Sequence, residues 1–371
     1  MVIKIAPTNA CNLNCRSCYN GNYRDKTELD FNTITEMVKE AFALGCTRID
    51  LLGGEPTCYS KFDDLCKWCK NNNIPVAITT NATLINKETI DLFKCFEQMT
   101  ISLDGFTAEE NDKVRGIGTF NKVCSAIELI NETIPDAEVY INCTLCKTGL
   151  SSLIESAELF RYECIKGINI AFPFPIGNAT LQAADFWPSP QYYFEQVYDF
   201  CAKYPDIVKK YNYSFYGSPL SSWFLDEAFS LNRYAPLHDY CMGGSFVYYI
   251  DAHGDVYPCN LEFGIEGIKT IAKEKGLQIG NINSSPLGDI IENKVYNCFF
   301  QTIRSFNRNY IPDEGKYCTQ CPFFRHGFCA VKCPFSPEKR NTEEICEYLL
   351  DKYGTGLLTR AEAFARKYDD E

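Results

Sequence analysis

Three cysteines stand at Cys11, Cys15 and Cys18, within "NACNLNCRSCYN" (residues 9–20), spaced C-x3-C-x2-C. Thiolates so spaced on a flexible loop can converge on one centre, yet three donors leave a tetrahedral ion or a four-iron cluster one site short. Either a distant residue completes the site, or the vacancy is functional and one iron is left free for a ligand. "GGEP", Gly53 to Pro56, favours the second reading. Its two glycines expose backbone groups to a small polar molecule, and Glu55 can accept from an amine. A second cysteine field runs through Cys241, Cys259, "YCTQCPFFRHGFCAVKCPF" and Cys346. Zinc also fits C-x2-C with further Cys, but it would leave the first loop and GGEP unexplained.

Composition narrows the chemistry. The chain has 371 residues, 21 Cys, only 3 His (His238, His253, His326) and a formal net charge of -12. So few histidines disfavour a His-built zinc or non-haem iron site. The acidic balance, with no long basic stripe, argues against a nucleic-acid partner. "MVIKIAPTNAC" lacks the features of a signal peptide, and no apolar stretch approaches the roughly 18 residues of a membrane span, so no membrane role and a cytoplasmic location are expected. There the grouped cysteines read as ligands rather than disulfides, and scattered ones as small core residues.

The elements that must position these residues alternate. From residue 2 to about 175, β-branched runs ("VIKIAPT", "RIDLLGG", "PVAITTN", "MTISLDG", "EVYINCTLC", "INIAFPFP") alternate with helical patterns such as "DFNTITEMVKEAFALG". This predicts an α/β fold, a partial (β/α)6 TIM barrel with an open side. The Cys loop, GGEP, "TTN", "SLDG" and "FPFP" all follow strands, at the carboxyl edge where parallel α/β folds place their chemistry. Residues 176–236 are rich in aromatics, which read first as packing beneath the barrel and bridging to the next region, with a substrate-lining role as the alternative. "SFVYYIDAHGDVYPCN" predicts a β-hairpin about Gly254, beginning a small cysteine-rich hairpin/helix domain. The expected domains are residues 1–235, the barrel with its bridge; 236–346, the cysteine-rich region; and 347–371, a charged terminal helix capping the fold. Cys66-x2-Cys69 and Cys143-x2-Cys146 read as core or edge thiols, and His253 and His326 as surface or hydrogen-bonding residues rather than metal ligands.

With C-x3-C-x2-C and GGEP at neighbouring strand ends, the sequence resembles the radical S-adenosylmethionine (radical SAM) enzymes over nearly its whole length. The resemblance implies that Cys11, Cys15 and Cys18 ligate a [4Fe-4S] cluster whose open iron takes the amino and carboxylate groups of S-adenosylmethionine. Gly53, Gly54 and Glu55 would hold the methionine amino group, and Ser102 and Asp104 of "SLDG" would lie near the ribose or carboxylate. The family often has an aromatic just before the third Cys, near the adenine; here that position is Ser17, with Tyr19 as the neighbouring substitute.

The second field resembles the SPASM auxiliary-cluster extension. By that resemblance Cys318, Cys321, Cys329 and Cys346 complete one auxiliary [4Fe-4S] cluster, although Cys321 and Cys329 are separated by seven residues where five are usual. Cys241, Cys259 and Cys333 would hold a nearer one. That triad again lacks a fourth thiol: either a remote Cys such as Cys298 completes it, or one iron is open to substrate.

The resemblance implies an oxidoreductase that forms a 5′-deoxyadenosyl radical and modifies a peptide, installing a thioether or carbon–carbon crosslink in a ribosomal precursor. A small-metabolite dehydrogenase or rearrangement enzyme is the alternative. Sulfatase maturation is disfavoured because that branch has "YPCD", its Asp acting as general base, where this chain has "YPCN" with Asn260, and an amide cannot take up a proton near neutral pH. Implied partners are a peptide substrate, a ferredoxin- or flavodoxin-type electron donor and, since the first strand starts at residue 2, another leader-docking surface or a separate leader-binding protein.

Overall fold

The computed structural model describes residues 1–21, 25–173, 176–182, 186–234, 247–309, 317–326, 328–329 and 342–368. Six parallel strands carry the first half: β1 (Val2–Ile5), β2 (Arg48–Leu51), β3 (Val76–Thr80), β4 (Gln98–Ser102), β5 (Val139–Thr144) and β6 (Ile165–Ala171). Between them lie α1 (Phe31–Ala43), α2 (Phe62–Asn71), α3 (Ala108–Arg115) and α4 (Thr119–Thr133). Two crossovers expected as helices are 3-10 stretches instead, Ile90–Cys95 and Gly149–Arg161, the latter broken at Ser152.

Alternation within each strand sorts the sheet into two faces. Ile3, Ile5, Ile49, Leu51, Met99, Ile101, Val139 and Ile141 are buried in one core with Ile34, Met37, Val38 and Ala41 of α1. Asp30 caps α1 by accepting from the Thr33 amide, and Gly45, at φ +89°, turns the chain just past its end. The opposite face carries Lys4, Asp50, Thr79, Gln98, Thr100, Ser102, Tyr140 and Asn142, side by side in the parallel register and none of them fully buried. The barrel's inner surface is therefore polar.

Three strands extend the sheet beyond the six expected. β7 (Tyr213–Phe215) adds to β6, and β8 (Val247–Ile250) pairs in parallel with β1 before turning at Gly254 into antiparallel β9 (Val256–Tyr257). The order is β7-β6-β5-β4-β3-β2-β1-β8-β9, a partial barrel whose cysteine-rich hairpin continues the barrel's own sheet.

The aromatic bridge forms α5 (Pro190–Lys203), α6 (Pro205–Lys210) and α7 (Pro219–Phe229), burying Tyr193, Phe194 and Trp223 as its packing role predicted. Beyond the hairpin come α8 (Glu262–Lys275), α9 (Leu287–Ile291), α10 (Lys294–Asn309), α11 (Pro322–Arg325), α12 (Thr342–Tyr353) and α13 (Gly356–Ala365). The expected single terminal helix is two, broken at Gly354 with φ +80°. Their apolar sides (Leu349, Leu350, Leu357, Ala361) are buried, and Tyr348 and Phe364 meet Phe194 and Trp223 of the bridge, so they are part of the core as well as a cap.

Candidate active site

The Cys loop leaves β1 and is held at both ends of its ligand triplet. The Arg16 amide donates to Val114 O (2.8 Å), while Asn178 donates from its backbone to Cys18 O and from Nδ2 to Cys15 O, both 2.8 Å. Cys11 is exposed, Cys18 half-buried and Cys15 buried. Burial, with Asp104, Cys18 and Cys11 adding and Arg115 opposing, pushes the Cys15 thiol up to about 11.

GGEP is bonded to this loop. The Gly54 amide donates to Thr8 O (3.0 Å) and the Glu55 amide to Ala10 O (2.8 Å). A Cβ on Gly54 would lie 2.2 Å from Ala10 O, so the close approach requires glycine there. The Glu55 carboxylate is buried, and burial raises its affinity for a proton. Oε1 accepts from Thr57 Oγ1 (2.8 Å) and Thr80 Oγ1 (2.6 Å), and Oε2 from the Asn81 amide (2.7 Å). Asn81 Nδ2 in turn donates to Asn12 Oδ1 in the Cys loop (2.8 Å). Sequence reasoning noted "TTN" only as a strand end; its residues fasten Glu55 and the Cys loop together. Cys58, also missed, lies beside the Asn12 backbone amide and near Cys11.

Ser102 stands on the inner face at the end of β4, where the sequence placed it. Asp104, expected near the ribose or carboxylate of the co-substrate, is engaged by the protein itself. Fully buried, it pairs through Oδ2 with Arg115 Nε (2.8 Å) and accepts from Ser17 Oγ (3.0 Å), while Oδ1 accepts from the Thr144 amide (2.8 Å). The Arg115 approach is off-axis, so the contact is an ion pair rather than a directed hydrogen bond. Arg115 Nη1 reaches to 4.0 Å from Cys15 Sγ. Asp104 thus anchors the loop's underside, and Ser17, at the position where the family often has an aromatic, is its partner.

Tyr19 turns toward the hairpin. Its side chain lies beside Asn260 and near both Cys18 and Cys259, and burial pushes its hydroxyl's proton affinity up. Lys4 Nζ donates to Asn260 Oδ1 from the inner face (3.4 Å). The amide that replaces the sulfatase-branch carboxylate therefore accepts from an ammonium and lies beside a phenol, next to one expected auxiliary ligand. Cys298 lies half-buried on α10, and Cys241 and Cys333 lie outside the described residues.

Cys318, Cys321, Cys329 and Cys346 come together. All four line one largely apolar cavity with Ser218, Leu220, Phe323, Phe324 and Leu350. Burial, with the other three cysteines adding, pushes the Cys346 thiol well up. By contrast Cys66, Cys69, Cys143 and Cys146 are core residues. His253 pairs with Asp25 (3.2 Å) and His326 with Glu362 (3.2 Å), the hydrogen-bonding roles expected.

Comparison with known proteins accounts for this arrangement. Residues 5–159 match the model of the radical SAM superfamily, and residues 241–322 match SPASM, an iron–sulfur cluster-binding domain. The chain is a radical SAM enzyme with a SPASM extension. Among curated relatives, the mycofactocin maturase MftC of Mycolicibacterium smegmatis is 30% identical over 257 residues, covering 68% of this chain and 62% of that one. An AdoMet-dependent heme synthase of Methanosarcina barkeri is 22% identical over 295 residues, 77% of this chain and 80% of its own. The fold is shared with a solved structure of native anSMEcpe with bound AdoMet and Cp18Cys peptide, at a TM-score of 0.68 and 18% identity, covering 98% of this chain and 99% of that one.

The residues of this radical SAM chain fit the cofactors of the two domains. Thiols whose protons are held tightly by burial are released outright on coordination to iron. Four thiols lining one largely apolar cavity are a donor set that fits a four-iron cluster.

Proposed function

We propose that this radical SAM chain is an oxidative peptide maturase. Cys11, Cys15 and Cys18 would hold the first [4Fe-4S] cluster, with Gly53, Gly54, Glu55 and Ser102 around S-adenosylmethionine. Bound there, cluster and co-substrate supply a 5′-deoxyadenosyl radical that takes a hydrogen atom from the substrate. The observation that carries the reading is the place of Tyr19, beside Asn260 and near both Cys18 and Cys259, which supports the first loop and the auxiliary hairpin flanking one inner space.

The protein's contribution is to bind and orient. Glu55 is fixed by Thr57, Thr80 and Asn81 before any ligand arrives, and its Oε2, with one protein donor, retains capacity for an amine. The inner face offers Gln98, Thr100, Tyr140 and Asn142 as hydrogen-bonding groups for a polar, extended substrate. Asn260 cannot accept a proton near neutral pH, which supports crosslink formation over sulfatase-type chemistry. Cys318, Cys321, Cys329 and Cys346 would hold one auxiliary cluster and Cys241, Cys259 and Cys333 another, as electron acceptors or as a docking point for a substrate thiolate. A ferredoxin- or flavodoxin-type donor and a separate leader-binding protein complete the proposed partners, and the location is proposed as cytoplasmic. No helix among the described residues is long and apolar enough to cross a membrane.

Intact-mass measurement of a short peptide encoded beside the gene, after anaerobic co-expression, tests this reading. Loss of two hydrogen masses with the native chain but not with Cys15→Ala supports it. Unchanged mass, with no solvent deuterium incorporated, turns the assignment to a small metabolite, the reading favoured by the heme synthase relative, whose alignment covers more of both chains.

A further inference from the structure

The side chain at the four-cysteine cavity that neither motif predicts is Ser218. It comes from the barrel's bridge rather than from the cysteine-rich region, and its Oγ lies 2.9 Å from Cys346 Sγ. Both oxygens nearby, on Ser218 and Ser221, are almost fully buried. Ser218 Oγ accepts from the Ser221 amide (3.0 Å), capping the 11-residue helix α7, while the Ser221 hydroxyl donates to Ser218 O (3.0 Å) and accepts from Ser218 Oγ (3.1 Å).

The proton inventory decides what this contact becomes. While Cys346 is a thiol, its S–H donates to Ser218 Oγ. A thiolate bound to iron has no proton to give, and two lone-pair atoms left facing each other at this distance would repel. The Ser218 hydroxyl has one proton, given to Ser221 Oγ while Cys346 is a thiol, and turning it from that oxygen to sulfur removes the repulsion. The Tyr317 hydroxyl is spent on Asp351 (2.7 Å), and Cys321 instead lies beside the Phe323 and Phe324 backbone amides.

We propose that Ser218 is a positioning residue that donates to Cys346 Sγ and raises the reduction potential of the cluster held there. This rests on the reading above that Cys318, Cys321, Cys329 and Cys346 share a cluster. A hydrogen bond to a ligating sulfur stabilises the reduced, more negative state, and the positive end of α7 points the same way. The bridge thereby makes this site a better electron acceptor than its thiolates alone would.

The test is an EPR-monitored redox titration of anaerobically reconstituted full-length protein. Ser218→Gly removes the hydroxyl but leaves a residue that helix N-caps tolerate, and Ser218→Thr keeps the hydroxyl. The expected result is a more negative midpoint for one cluster in the Gly variant, the other midpoints unmoved, and the native midpoint restored in the Thr variant. An unchanged midpoint in the Gly variant, or a displacement shared by all clusters, overturns the proposal. A native protein whose EPR signals and iron content do not change on Cys346→Ala would instead remove the cluster assignment on which it rests, and the proposal with it.

Discussion

Asp104 and Arg115 form a buried ion pair directly beneath the cluster-ligand loop, Oδ2 to Nε 2.8 Å, with the guanidinium extending toward Cys15 Sγ. Breaking such a pair from one side leaves an uncompensated buried charge, at a cost of about 3–5 kcal/mol. Asp104→Asn keeps an acceptor for the Thr144 amide and reverses the Ser17 contact, its Nδ2 donating to Ser17 Oγ, but strands Arg115. We expect a large drop in thermal stability and poor iron retention. Adding Arg115→Met removes the stranded charge and should recover part of the stability. Equal melting of native and Asp104→Asn proteins would show that the pair does not hold the loop.

Gly54 sets the distance between GGEP and the Cys loop. Gly54→Ala would drive a methyl into Ala10 O and Asn9 O. Gly45, at φ +89° with nothing within 4 Å of an added Cβ, provides the control: Gly45→Ala should cost only about 1 kcal/mol in backbone strain. Iron content and S-adenosylmethionine binding, by equilibrium dialysis, should fall for Gly54→Ala and stay native for Gly45→Ala.

Cys329 belongs to the cavity shared with Cys318, Cys321 and Cys346, away from the first loop. Cys329→Ala should lose about four iron atoms per chain while still cleaving S-adenosylmethionine without forming product. Loss of cleavage equal to that of Cys15→Ala would mean that the second cysteine field is needed for folding rather than turnover.

Asp251, at the end of β8, has its proton affinity raised to a pKa of about 6, chiefly by burial and secondarily by Asp255. The folded protein therefore holds a proton that the unfolded chain releases near 3.8, and stability falls as pH rises between about 4 and 6. Asp251→Asn keeps an oxygen for the His253 and Asp255 amides and has no charge to bury. It should melt higher than native at pH 7.5, by at most about 3 kcal/mol, and match it near pH 4. Melting curves across that range check the slope.

How far the sequence revealed this molecule depended on distance along the chain. Six strands, the position of each loop at a carboxyl edge and the Gly254 hairpin are local patterns, and they were legible. That β8 would lie parallel beside β1 was not, because strand pairing across some 245 residues leaves no periodic trace. The short β7 carries only "YSF", hidden among other aromatics, and α3, "AEENDKVR", has almost no apolar face. At the site, cysteine spacing named the ligands; the groups that hold them (Thr80, Asn81, Arg115, Ser218) are ordinary polar residues whose roles exist only after folding. Asp104 shows the limit of motif reasoning, since its place at a strand end was correct while its carboxylate proved to be engaged by the protein itself.

The central claim is that the loop of Cys11, Cys15 and Cys18, closed by GGEP, activates S-adenosylmethionine. The direct measurement is 5′-deoxyadenosine formed by anaerobically reconstituted protein under a low-potential reductant, alongside its metal content. About 12 iron atoms per chain, with cleavage in the native protein and none in Cys15→Ala, is the predicted result. A protein that binds zinc in place of iron and forms no 5′-deoxyadenosine would contradict it.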